Sequence, residues 1–239
     1  MKYVYGPVNS RRLGLSLGVT LTPYKICSFN CVYCQLGVTT EITRERKEYI
    51  PIQEILSELK SYFAGNDSAV KKLNYITLSG SGEPTLNIKI GQLIDAINKI
   101  TTVPIALITN SSLLIDSLAP QDLIALDLIV PSLDAVTPVI FQKIDRPQEG
   151  IKIEEIINGL IGLRKEFRGQ IWLEVMLVKG INDDLRHIKK LKEAIDKINP
   201  DRIHLNSPVR QTAEPSILAV DRSKLQKIKE ILGEKAQVI

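Results

Sequence analysis

The sequence predicts an α/β fold in which parallel strands alternate with helices packed outside an open, incompletely closed barrel. Three observations lead there. Short apolar runs rich in Ile, Leu and Val recur along the chain, near-continuous as in strands buried on both faces. The segments between them place apolar residues at helical spacing. Strand and helix patterns alternate through six units, fewer than the eight of a closed barrel, so a partial (β/α)6 TIM-like barrel with outer helices is expected.

Residues 1–15 carry Gly, Pro and Arg without a clear period and are read as an N-terminal arm. The strand runs are Leu17–Thr22, Leu73–Ser79, Val103–Thr109, Leu126–Ser132, Gln170–Val178 and Arg202–Asn206. Ile52, Ile55, Leu56 and Leu59 recur at i, i+3, i+4 and i+7, with Pro51 where a first helical turn tolerates proline. Ile90, Leu93, Ile94 and Ile97 repeat the pattern, as do Ile153, Ile156, Ile157 and Leu160, then Leu185, Ile188, Leu191 and Ile195. A last helix runs from Arg222 to Leu232, with Gly233 as its C-cap. No linker or internal repeat interrupts the alternation, so residues 1–239 read as a single domain. Sites in such sheets lie beyond the carboxyl ends of the strands, in loops 23–37, 80–87, 110–112, 133–138, 179–184 and 207–216.

Composition narrows the function classes. Hydrophobic residues at 44% and charged residues at 24% give the balance of a soluble globular chain that needs no disulfide framework. With 31 Lys+Arg against 27 Asp+Glu the net charge is +4, which alone is weak evidence for a nucleic-acid partner. No run approaches the roughly 20 apolar residues of a membrane span. The opening MKYVYGPVNSRRLG has no apolar stretch of a secretory leader, so a cytoplasmic location with reduced thiols is expected.

All three cysteines, Cys27, Cys31 and Cys34, fall in the loop after the first strand, spaced C-x₃-C-x₂-C. Three thiolates on one tight loop can converge on one soft metal centre. Structural zinc wants four protein ligands, and the two histidines, His187 and His204, stand far along the chain with no cysteine neighbour. An iron–sulfur cube held by three thiolates leaves one iron open to an exogenous ligand. Three buried structural cysteines, the bland alternative, would be scattered rather than clustered.

The spacing, in a loop after a first barrel strand, resembles the signature of the radical S-adenosylmethionine (SAM) superfamily. The resemblance implies a [4Fe–4S] cluster on Cys27, Cys31 and Cys34, with SAM chelating the open iron. Reduction would cleave the sulfonium to a 5′-deoxyadenosyl radical that abstracts a substrate hydrogen. Tyr33, before the last cysteine, takes the position that packs on the adenine, and an aromatic face suits a purine. Ser81-Gly82-Glu83-Pro84 is similar to the Gly-Gly-Glu-Pro motif that contacts the cofactor's amino group, with Ser81 in place of the first Gly. Thr109-Asn110-Ser111 resembles Thr-Asn-Gly, and Ser132-Leu133-Asp134 resembles a Ser-Leu-Asp near the cofactor's carboxylate and ribose. Gly82, Glu83, Asn110, Ser132 and Asp134 are therefore the expected cofactor contacts beside Tyr33.

A narrower resemblance rests on Gly6–Gly14, Pro23-Tyr24-Lys25 and Cys34-Gln35-Leu36-Gly37. It points to a prokaryotic branch distantly related to the wybutosine-forming tRNA enzymes. Those carry a second cluster on additional cysteines, which this chain does not have, so their tricyclic-base chemistry does not transfer.

Arg11 and Arg12 before the first strand and Arg210 after the sixth are the candidate substrate groups, since guanidinium forks suit phosphate or carboxylate. Arg146 is a further candidate, Trp172 and Met176 read as core, and His204 alternates with apolar neighbours toward the barrel interior. The expected electron donor is a low-potential ferredoxin or flavodoxin, and the substrate is tRNA or a small metabolite. Two other classes stay open: an activating enzyme whose radical forms on a partner protein, and an electron-transfer iron–sulfur protein.

Overall fold

A computed structural model describes residues 1–114 and 122–239. The first half holds β1 (Val4–Ser10), β2 (Gly14–Thr20), the short pair β3 (Ile26–Cys27) and β4 (Glu41–Ile42), α1 (Ile52–Gly65), α2 (Asp67–Val70), β5 (Tyr75–Ser79), α3 (Ile90–Asn98) and β6 (Ile105–Thr109). The second holds β7 (Leu128–Pro131), α4 (Pro138–Ile144), α5 (Ile153–Glu166), β8 (Gln170–Met176), α6 (Leu185–Ile198), β9 (Arg202–Asn206), α7 (Arg222–Leu232) and β10 (Ala236–Val238). One eight-stranded sheet runs β1-β2-β5-β6-β7-β8-β9-β10. Every pair from β2 to β10 is parallel, and β1 alone runs antiparallel, against β2.

The six expected strands are present, the first shifted toward the N-terminus, four others with trimmed ends, and Arg202–Asn206 matching to the residue. The N-terminal arm is a correction: Val4–Ser10 is a sheet strand, with Val4 opposite Val19 and Ser10 opposite Gly14. The tight turn needs Gly14 at φ +66°, a region that favours glycine. That hairpin moves the start of the first parallel strand from Leu17 back to Gly14. β10 and α4 also escaped the sequence reading, being too short to show a period.

Strand alternation divides the core. Leu17, Val19, Ile76 and Leu78 face outward and pack with Ile55, Leu59, Leu93 and Ile97 from α1 and α3. β8 and β9 send Leu173, Val175, Ile203 and Leu205 against α5, α6 and α7 in a second cluster. Inside the barrel, Leu13, Ala106, Leu128, Val130 and Trp172 form a separate plug. Trp172 is core, as expected, and His204 packs edge-on to it with ring centroids 5.4 Å apart. His204 is 1% exposed and neither ring nitrogen has a hydrogen-bond partner, so burial and the charges of Arg12 and Arg202 lower its pKa to about 4.

The sheet stays open between β1 and β10, and the turn after β1 bridges the gap. Arg11 donates from Nη1 to a main-chain oxygen of Ile239 (3.2 Å) and from Nη2 to Asn206 Oδ1 (3.4 Å). Arg12 forms an ion pair with the buried Glu174 of β8.

Candidate functional site

The cysteine loop is stitched to both halves of the barrel. On one side the Lys25 amide donates to the Ser81 carbonyl (2.6 Å) and the Glu83 amide to the Ile26 carbonyl (3.1 Å). A Cβ on Gly82 would stand 1.9 Å from the Ile26 carbonyl oxygen, so only glycine lets these two loops meet. On the other side Asn30 and Val32 donate to the Asp145 and Ile144 carbonyls at 3.0 and 2.9 Å. Phe29 meets Phe141 edge-on at 5.4 Å and packs, with Val32, in the second-half core.

The three thiols are unpaired and half-buried. Asn110 Nδ2 lies 3.4 Å from Cys27 Sγ, Lys25 Nζ lies 3.1 Å from Cys34 Sγ, and Cys31 Sγ lies 3.5 Å from Asp145 Oδ1. Burial, then the charge of Glu83, pushes the Cys27 thiol up to about 11, and burial with Asp145 raises Cys31 well above its ordinary value. Metal ligation requires the thiolate, so a bound cation offsets that cost. Among the described residues no three His, Cys, Asp or Glu side chains converge on one ion position. A cube assigns each cysteine to its own iron, and N–H donors aimed at two of the sulfurs suit cluster thiolates. The donor set fits the group.

A cleft of about 600 Å³ opens between this loop and the barrel interior. Cys27, Cys34, Tyr33, Gly82 and Ser132 line it, together with Arg11, Arg12 and Arg210. Asn110 and Asp134 instead face a cavity of about 10 Å³ behind Tyr33. Tyr33 donates its hydroxyl to Asp134, whose other oxygen accepts from the Met176 amide at 2.7 Å. Burial raises Asp134 to about 6, and burial together with the charge of Asp134 raises Asp145 well above its ordinary value.

Glu83, an expected cofactor contact, is engaged by the protein around it. It is 2% exposed, and its carboxylate accepts from Thr85 N (3.1 Å), Thr85 Oγ1 (2.6 Å), Thr109 Oγ1 (2.7 Å) and Asn110 N (2.8 Å). Burial pushes its pKa up while these bonds pull it back. Its side chain thus ties the loops after β5 and β6 together. Arg146 turns outward to an exposed ion pair with Glu214 at 2.6 Å, and the sequence reading missed Lys25, Asp145 and Glu174. Lys25 was visible within the Pro23-Tyr24-Lys25 stretch; Asp145 and Glu174 meet their partners only through the fold.

Comparison with known proteins bears on this arrangement. The radical SAM superfamily model matches residues 21–191. A protein from Brachyspira hyodysenteriae named GTPase Obg is 41% identical over 228 residues, covering 95% of this chain but only 33% of its own length. A UPF0026 protein from Methanocaldococcus jannaschii is 33% identical over 234 residues, 98% of this chain and 72% of that one. A radical SAM methyltransferase from Sphaerobacter thermophilus superposes with a TM-score of 0.73 at 16% identity, over 94% of this chain and 65% of that chain, a likeness of fold. Among the described residues no helix is long and apolar enough to cross a membrane. The chain belongs to the radical SAM superfamily, whose enzymes use a [4Fe–4S] cluster and SAM.

Proposed function

We propose that Cys27, Cys31 and Cys34 hold a single [4Fe–4S] cluster at the cleft, and that SAM binds beside it for hydrogen abstraction from a substrate in the barrel interior. The observation that carries this reading is the opening of the cysteine loop, with Tyr33 and the Gly80–Gly82 backbone, onto one cleft of about 600 Å³. The bound group supplies one-electron cleavage of the sulfonium and a 5′-deoxyadenosyl radical. Tyr33 offers a ring face for the adenine, held in place by its hydroxyl on Asp134. Gly82 brings the loop after β5 within reach of the cysteine loop, and Glu83 and Asn110 fix that loop's position as positioning residues. Ser132 presents a polar group to the cleft wall. Lys25 sets its ammonium against the Cys34 sulfur at 3.1 Å. A ferredoxin or flavodoxin of the reducing cytoplasm would deliver the electron.

The test is anaerobic reconstitution followed by incubation with SAM and dithionite. We expect about four irons per chain and formation of 5′-deoxyadenosine, both lost in Cys27→Ala, Cys31→Ala and Cys34→Ala. Full iron loading with no 5′-deoxyadenosine would leave an electron-transfer protein and overturn the reading.

A further inference from the structure

The cleft carries more positive charge than the protein around it balances. Arg11, Arg12, Arg210 and Lys25 line it, against Glu174 as the sole acidic group among its lining residues. Lys25 faces the Cys34 sulfur, and Arg12 is matched by Glu174, which also accepts from Asn206 Nδ2 at 3.2 Å. That leaves two guanidinium groups. Among the described residues Arg11 has no acidic side-chain partner and donates to Asn206 Oδ1 and a main-chain oxygen of Ile239, and Arg210 donates to Gln35 Oε1 at 2.7 Å, next to Cys34. Burial, and then the charges of the nearby Arg11 and Arg210, lower the pKa of Arg12 to about 10.

Like charges gathered at one cleft repel one another, and an anion that joins them relieves that repulsion. A carboxylate neutralises one guanidinium, whereas a phosphoryl group carries up to two charges and enough oxygens for two forks. We propose that Arg11 and Arg210, held in place by Arg12 and Glu174, form an anion subsite for the phosphoryl group of a small-molecule substrate. This rests on the preceding reading of the cleft and adds the substrate class. A nucleic-acid strand would need a basic track continuing beyond the subsite. The neighbouring rim is apolar instead, with Val8 and Val209 46% and 68% exposed. The anchored group lies beside Gln35, which places the rest of the substrate alongside the cysteine loop.

The probe is inorganic pyrophosphate, measured by equilibrium dialysis on the cluster-loaded protein with saturating SAM. Arg11→Gln and Arg210→Gln should each weaken binding about tenfold or more, and Arg168→Gln, an exposed arginine outside the cleft, should leave it unchanged. Iron content and melting temperature equal to wild type establish that each variant is folded; if one is not, the other decides. No pyrophosphate binding at millimolar concentration, or equal binding by the variants, overturns the subsite. Weaker SAM binding with unchanged pyrophosphate binding would assign the arginines to the cofactor, and would likewise overturn it. So would arginine-dependent binding of transfer RNA without pyrophosphate binding, which would point to a polymer. Because binding is read directly, a failure of SAM cleavage would count against the proposed function and not against this subsite.

Discussion

Glu83→Gln is the sharpest test of how the site is held. One carboxylate oxygen accepts three hydrogen bonds and the other accepts one, from the Asn110 amide at 2.8 Å. Glutamine keeps the shape and retains one acceptor, so the three bonds to Thr85 and Thr109 survive without the charge. Its NH2 group then opposes the Asn110 N–H. A hydrogen bond to a charged group contributes about 1.5–3 kcal/mol, and the stranded donor adds to the loss. Relief of a buried charge offsets part of this, leaving a net destabilisation of about 3 kcal/mol. For a chain of this size that corresponds to a fall of roughly 6–12 °C in melting temperature. The displaced Asn110 also carries the contacts of its Nδ2 with Ser28 Oγ (2.9 Å) and Cys27 Sγ (3.4 Å), so iron loading should drop as well. Differential scanning calorimetry of the cluster-free protein and iron analysis after reconstitution measure both. A cluster-free variant melting within about 1 °C of wild type would refute the claim that Glu83 ties the two loops.

Gly82→Ala places a methyl group against the Ile26 carbonyl, and the cysteine loop must move. Iron and sulfide stoichiometry should fall below half of wild type while far-ultraviolet circular dichroism stays native; full loading would show that the loops can separate at no cost. His204 gives a pH signature. Its folded pKa of about 4 lies below the ordinary 6.5, so the neutral ring's contribution is present above 6.5 and is lost as pH falls toward 4. The difference is about 3 kcal/mol at 1.36 kcal/mol per pH unit. Urea unfolding at pH 7 and pH 4 should show wild type losing about that much more stability than His204→Phe, and parallel losses would contradict a buried neutral imidazole.

The strands were legible because parallel strands buried on both faces write a continuous apolar run, as in Ile105–Thr109, and helices such as Leu185–Ile198 write a period. The cysteine loop was legible because its ligand-type residues are close in sequence. What stayed hidden depends on distant partners. β1 carries Gly6, Pro7 and exposed side chains, so only its pairing with β2 makes it a strand. Asp145 and Glu174 are ordinary acidic residues until folding brings them to Cys31 and Arg12. The Glu83 motif was found, yet its spacing could not say that the side chain turns inward while the glycine beside it makes the close approach.

The cysteine loop belongs to neither half of the barrel alone. It leaves a strand of the first core, while its Phe29 and Val32 are packed in the second. The loop is therefore the hydrogen-bonded seam between the two cores. A cluster bound at Cys27, Cys31 and Cys34 would tie the two cores together through this loop, so metal-free protein should open first along that seam in hydrogen exchange.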